Sequence, residues 1–253
     1  QILRIPCLRT GKKKSIIPPK FGSKGSHCML YLVDSANCEA IAKILEDFPI
    51  SGVTTNPSIV CREHGDYAKI LKDVRALIGP ERMLHAQTLQ KDADGMVREA
   101  RAIRDLIGGE FYVKLPICPE ALKATRILKS EGVGVTMTAI FSAQQALVAA
   151  CAGADFVAPY VNKMDDVGNG CELVKHILEI YNHYQLKTRV LAASFRNVEQ
   201  VTAVSQYGAH SATLPPALYE KLIWHPMTDL AVQGFDRDWQ AEYGDKKPLD
   251  LIG

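Results

Sequence analysis

What most limits the fold of this chain is an alternation that repeats eight times after residue 29. Each repeat is a short apolar run followed by a longer stretch with apolar residues at helical spacing. The runs at 30–33, 52–55, 83–88, 111–115, 133–138, 156–158, 189–193 and 211–214 read as strands buried between two layers. Stretches 39–47, 67–78, 93–106, 119–130, 143–152, 171–183 and 198–206 carry the helical period, with Ser142 and Pro119 as N-terminal helix signals. No hairpin signature joins neighbouring runs, so the strands must be parallel and the helices their crossovers. Eight such units in 253 residues predict one closed (β/α)8 barrel. An open doubly wound sheet is the competing arrangement, and the chain offers it neither a GxGxxG turn nor a P-loop. Beyond the eighth unit, 227–243 places Ala231, Phe235, Trp239 and Tyr243 at four-residue spacing and predicts an additional C-terminal helix. Its apolar stripe is more than the barrel needs and suits a contact between subunits, the alternative being that it folds back over the barrel's own surface.

Charge and cysteine content narrow the function classes. The net charge of +2 hides an uneven distribution, because residues 1–28 hold seven basic residues and no acidic one. The remainder has 23 basic and 28 acidic residues, a balance of −5, so no basic domain is available for nucleic acid. Residues 1–28 mix Lys, Pro, Gly and Ser as linkers do and are expected to be an expression-derived, upstream or disordered extension, with Met29 as the natural start and 29–253 as one domain. A transit peptide is the rival, but Pro18-Pro19 and the Gly spacing oppose an amphipathic helix. Seven scattered cysteines without a CxxC pair read as reduced thiols of a cytoplasmic protein, and the seven histidines form no metal-binding spacing, so no metal is expected. No apolar run approaches the length of a membrane span.

In a barrel of this kind, active sites lie at the carboxyl ends of the strands. Those positions carry Asp34, Thr54-Thr55-Asn56, Gln87, Lys114, Thr138, Tyr160 and Ser194. Lys114 is the most informative. It lies within Phe111-Tyr112-Val113-Lys114-Leu115-Pro116, where burial of an ammonium costs several kcal/mol unless it is paired or loses its proton. If the strand ended earlier, Lys114 would snorkel to the rim. A desolvated lysine with a lowered pKa is what attack on a ketone requires, and Schiff-base chemistry follows if a carbonyl can reach it.

The stretches LYLVDSAN, GVTTNPSI, HAQT, YVKLP, APYVNK and AASFR resemble, in order and spacing, the transaldolase family, and most closely its short branch containing fructose-6-phosphate aldolase. The resemblance covers nearly everything from Met29 to Gly244. It implies a barrel fold, a Schiff-base lysine on the fourth strand and no metal or organic cofactor. Lys114 resembles that lysine, and Asp34 the first-strand acid that assists proton transfer around the imine. Thr55 and Asn56 fall where the family binds substrate, although Asn before Pro57 also suits a helix cap. Gln87 and Thr138 resemble the pair that positions the catalytic water, though a hydroxyl or amide there could merely close a buried hydrogen bond. Ser194 and Arg196 fall where the substrate phosphate is held. Gln87 and Tyr160 are similar to the aldolase branch, since transaldolases proper have Glu and Phe there. Lys163 departs from both branches, which usually show arginine, and it keeps the charge without the bidentate fork.

The resemblance therefore implies a class I aldolase that reversibly cleaves fructose 6-phosphate to dihydroxyacetone and glyceraldehyde 3-phosphate. The alternative is a transaldolase that moves a dihydroxyacetone unit between sugar phosphates. A third reading is a non-catalytic barrel used for binding or assembly. Small sugar phosphates are the expected partners, and the aldolase branch implies a ring-shaped homo-oligomer, a pentamer or a decamer.

Overall fold

The apolar runs become strands because each carries side chains that must be hidden on both faces, one into a barrel and one under helices. The computed structural model describes residues 28–166 and 168–252. The expectation for residues 1–28 falls, Cys28 apart, outside the described residues. Through the eight units the order is β1 (Leu30–Asp34), α1 (Cys38–Asp47), β2 (Ile50–Thr54), α2 (Pro57–Cys61), α3 (Tyr67–Ile78), β3 (Met83–Gln87), α4 (Ala93–Ile107), β4 (Phe111–Pro116), α5 (Pro119–Ser130), β5 (Gly134–Ile140), α6 (Ala143–Cys151), β6 (Phe156–Pro159), α7 (Val161–Asp165), α8 (Gly170–His183), β7 (Arg189–Ala192), α9 (Val198–Gln206), β8 (Ser211–Leu214) and α10 (Pro216–Ile223). Two further helices follow, α11 (Pro226–Tyr243) and α12 (Pro248–Leu251). The strands are all parallel and close in sequential order, β8 pairing with β1, which is the (β/α)8 barrel with an additional C-terminal helix.

The period of two divides the core into an outer layer and an inner one. Val33, Val53, Leu84, Val113, Val135 and Val157 point outward and join the helices' apolar faces in one cluster. Leu30, Leu32, Met83, Phe156 and Leu191 form a separate cluster inside the barrel, with Tyr112 packed against it. On that layer His85 stacks on Tyr112 at 4.7 Å between centroids, and its Nδ1 lies 2.9 Å from Thr136 Oγ1. Burial first, then the charges of Lys114, Arg189 and Arg75, push the imidazole well below its usual pKa, so His85 is neutral inside the barrel. Two residues further along the same inward files come Asp34, Gln87, Lys114 and Thr138. The barrel thus fills its lower part with large side chains and ends its strands in polar groups.

Helix ends follow capping chemistry. Asn37, Asn56, Asp66, Asp92, Ser142, Asn169 and Asn197 each accept a backbone N–H of the first turn, and Cys118 does so through sulfur ahead of Pro119. The helix α11 begins at Pro226, one residue before the expected 227, and buries none of its residues. It does not fold back over the barrel. Among the described residues no helix is long and apolar enough to cross a membrane.

Candidate active site

A cavity of about 510 Å³ opens at the carboxyl ends of the strands. Asp34, Asn56, Gln87, Lys114, Tyr160, Lys163 and Ser194, all singled out in the sequence, line it, and Ser58, Arg62 and Pro215 complete much of the wall.

Lys114 stands in register between Gln87 on β3 and Thr136 on β5, is only 5% exposed, and donates from Nζ to the Thr55 carbonyl at 2.8 Å. Burial pushes its amine below the ordinary lysine range, and the Asp34 carboxylate partly holds it up. Asp34 responds in the opposite sense. Burial raises its carboxyl, while Lys114, a hydrogen bond from Thr54 and the Arg62 charge lower it. Thr54 Oγ1 donates to Asp34 Oδ1 at 2.7 Å and lies 2.6 Å from Thr213 Oγ1. A hydroxyl has a single proton, so with Thr54 donating to Asp34 the Thr213 hydroxyl must donate to Thr54. This orders a chain from β8 through β2 to β1 that ends on the carboxylate.

Across the mouth, a bulge between Thr138 and Ile140, with Ala139 at φ 56°, ends β5. Tyr160 follows β6 and reaches back to Thr138, with 3.3 Å between the two hydroxyl oxygens. Phe141 meets the Tyr160 ring edge-on at 5.6 Å, and the Lys163 ammonium lies over that ring at 5.3 Å. Burial raises the phenol's pKa, so Tyr160 is protonated at neutral pH. Ser194 adopts φ 65°, a left-handed conformation that a non-glycine residue holds at a cost, and its carbonyl accepts the Asn162 N–H at 2.8 Å.

Of the predicted residues, Thr55 and Arg196 stand outside the cavity lining, Thr138 meets it through Tyr160, and Asn56 lines it while serving a second role. Thr55 points away from Lys114. Its hydroxyl donates to the His85 carbonyl at 3.1 Å, and its side chain borders a smaller cavity, so its contribution to the lysine is its own carbonyl. Asn56 spends its side-chain oxygen on the Ile59 N–H at 3.0 Å, the helix cap foreseen as an alternative, while still lining the cavity. Arg196 is exposed and outside the cavity lining, because buried Phe195 turns the chain outward after Ser194, and its backbone N–H donates to Gln200 Oε1. Sequence reading missed Arg62, Thr213 and His85. Period-two counting back from Gln87 would have found His85, and the same counting along β8 Thr213, whereas nothing in the spacing around Arg62 marks it.

Fold and site together define a (β/α)8-barrel enzyme with a buried lysine and an aspartate at the open mouth. Residues 31–247 match the family Transaldolase/Fructose-6-phosphate aldolase, and the chain belongs to that family. Among its relatives are two proteins named "Probable transaldolase". That of Agathobacter rectalis is 38% identical over 86% of this chain and 100% of its own length. That of Anaeromyxobacter sp. is 41% identical over 84% of this chain and 98% of its own. Solved structures share the barrel at lower identity. "Native KDPGal structure" reaches a TM-score of 0.54 at 16% identity, over 76% of this chain and 84% of that one. A mandelate oxidase gives 0.54 at 15%, over 76% and 65%. At these identities they show the fold alone.

Proposed function

We propose that this chain is a Schiff-base aldolase that reversibly cleaves fructose 6-phosphate to dihydroxyacetone and glyceraldehyde 3-phosphate. The observation that carries the reading is Lys114 itself, an amine buried at the end of β4 with its pKa pushed down and a carboxylate facing it. Neutral Lys114 attacks the C2 ketone, and Asp34 serves the proton transfers that expel water and leave an iminium. The C3–C4 bond then breaks, its electrons neutralising the iminium to an enamine. Because Tyr160 is a phenol at neutral pH, it relays the C4 hydroxyl proton, with a water held with Gln87 and Thr138, to the Asp34 carboxylate. Glyceraldehyde 3-phosphate departs, the same relay returns a proton to C3, and hydrolysis of the imine releases dihydroxyacetone and the free amine.

The substrate is read as lying with its phosphate toward Lys163 and Ser194. Its C1 hydroxyl then lies toward Asn56, whose NH2 is the part of the side chain that the helix cap leaves over. No metal or organic cofactor enters these steps. The exposed apolar residues of α11 support a homo-oligomer, and the scattered thiols a cytoplasmic setting.

A second reading, transaldolase, has the relatives' printed names in its favour. In it the same enamine is captured by an aldose phosphate before a proton reaches C3. Incubation of the enzyme with fructose 6-phosphate, with and without erythrose 4-phosphate, separates the two. Free dihydroxyacetone in both mixtures is the expected outcome. Sedoheptulose 7-phosphate, formed only with the acceptor and without free dihydroxyacetone, makes the chain a transaldolase.

A further inference from the structure

Gln200 is a polar side chain of α9 that is only 7% exposed, and it lies outside the cavity lining. Its carboxamide joins two segments that do line the cavity. The NH2 group donates to Asp165 Oδ2 and to Asn162 Oδ1, the latter at 3.5 Å, both residues of α7. The amide oxygen accepts the Arg196 N–H, in the loop between β7 and α9, at 2.8 Å. A carboxylate only accepts and a backbone N–H only donates, so these partners fix which end of the amide faces which. Asp165 spends its other oxygen on the Gly170 N–H at 2.7 Å, which ties in the start of α8 as well.

A second link joins the same two segments on the cavity side. The Ser194 and Ala193 carbonyls accept the Asn162 and Val161 N–H groups at 2.8 and 2.9 Å. A closed ring results, from the Ser194 carbonyl through Asn162 and Gln200 to the N–H of Arg196, two residues beyond Ser194. Ser194 sits within this ring at φ 65°, a conformation that persists only where its surroundings over-determine it. Lys163 stands between Asn162 and Asp165, the two α7 residues that the amide grips, and Tyr160 immediately precedes that helix. A glutamate in place of Gln200 would keep the acceptor, lose the donor and set a second carboxylate against Asp165.

We infer that Gln200 is a positioning residue of the active site: its amide locks α7 to the loop after β7 and so sets Lys163 and Ser194 at the spacing that the substrate phosphate requires. The inference rests on the Schiff-base reading for the side of the cavity that takes the phosphate. Dihydroxyacetone, the part of the substrate bound to Lys114, carries no phosphate and serves as the control.

The test is the concentration of fructose 6-phosphate, and of dihydroxyacetone, that gives half-maximal borohydride-trapped adduct on Lys114. Gln200→Met, similar in length with neither donor nor acceptor, should need about tenfold or more fructose 6-phosphate, as displaced binding groups do, and an unchanged concentration of dihydroxyacetone. Gln200→Glu should lose in the same way. Combined with Asp165→Asn, it exchanges donor and acceptor across the same bond and should bring fructose 6-phosphate back to within about twofold of the wild type. Unfolding curves identify the variants that fold. Equal losses for the two ligands in Gln200→Met would mean that Gln200 only supports the fold, and unchanged values for both that the segments hold each other without it. Either result overturns the inference. If Gln200→Met is too unstable to assay, the exchanged pair decides, and fructose 6-phosphate bound as weakly there as by Gln200→Glu overturns the inference too. Absence of an adduct with both ligands in the wild type overturns the Schiff-base reading itself, and this inference with it.

Discussion

Burial pushes the Lys114 amine down and the Asp34 carboxyl up, and each group's charge supports the other's. This coupling gives the site a pH signature whose sign can be stated. The reactive form of Lys114 is the neutral amine, so adduct formation rises with pH through its pKa. Asp34→Asn removes the carboxylate that holds that pKa up, so the rising limb should move to lower pH even as the rate at every pH falls, by roughly 10²-fold for a lost proton-transfer group. Borohydride trapping with fructose 6-phosphate across the pH range measures both, and a limb moving upward would mean that Asp34 does not act on Lys114. Lys114 and Asp34 were legible in the sequence because polar residues at strand ends must face inward for a reason, and counting by two places them there. Thr55 was not, because a one-residue ambiguity in where β2 faces inward exchanges it with Thr54, which is the residue that meets Asp34. Arg62 carried no sequence signal. Only the closed barrel brings it to the same cavity as Lys163.

Strands and long helices matched the sequence closely because each is long enough to show its period, as with α3, α5 and α9 at their expected bounds. The short helices α2 and α7 escaped notice, since five residues show less than two turns of periodicity. They nonetheless hold Asn56 at the start of one and Lys163 within the other. Their placement depends on close packing. A Cβ at Gly170, the first residue of α8, would fall 1.9 Å from the Val161 carbonyl oxygen of α7. Ala in place of a helical Gly ordinarily stabilises, but here it must push the two helices apart. Gly170→Ala should therefore destabilise by about 1–3 kcal/mol, the cost of overpacking, and raise KM for fructose 6-phosphate by displacing Lys163. Chemical denaturation and steady-state kinetics on one preparation check this. A variant as stable as the parent would show that α7 and α8 separate freely.

For the whole molecule, the barrel satisfies its own core, and α11 contributes nothing to it. Phe235 is 69% exposed, and Leu230 and Met227 on the same helix are also open, while Trp239 packs on Tyr243 with 4.6 Å between ring centroids and donates its indole N–H to the Lys246 carbonyl at 2.7 Å. The sequence showed this stripe, but a stripe alone could not tell a neighbour's surface from the barrel's own. Apolar area of this kind is ordinarily covered by a partner. Deleting residues 227–253 should accordingly yield smaller particles on size exclusion with the barrel still folded, and an unchanged particle size would remove the helix from any subunit contact. The account as a whole stands on the identity of one nucleophile. Mass spectrometry of peptides from enzyme reduced with borohydride in the presence of fructose 6-phosphate should find the sugar-derived adduct on Lys114, and Lys114→Arg, whose guanidinium stays protonated, should show neither adduct nor turnover. An adduct on any other lysine, or turnover by Lys114→Arg, would contradict it.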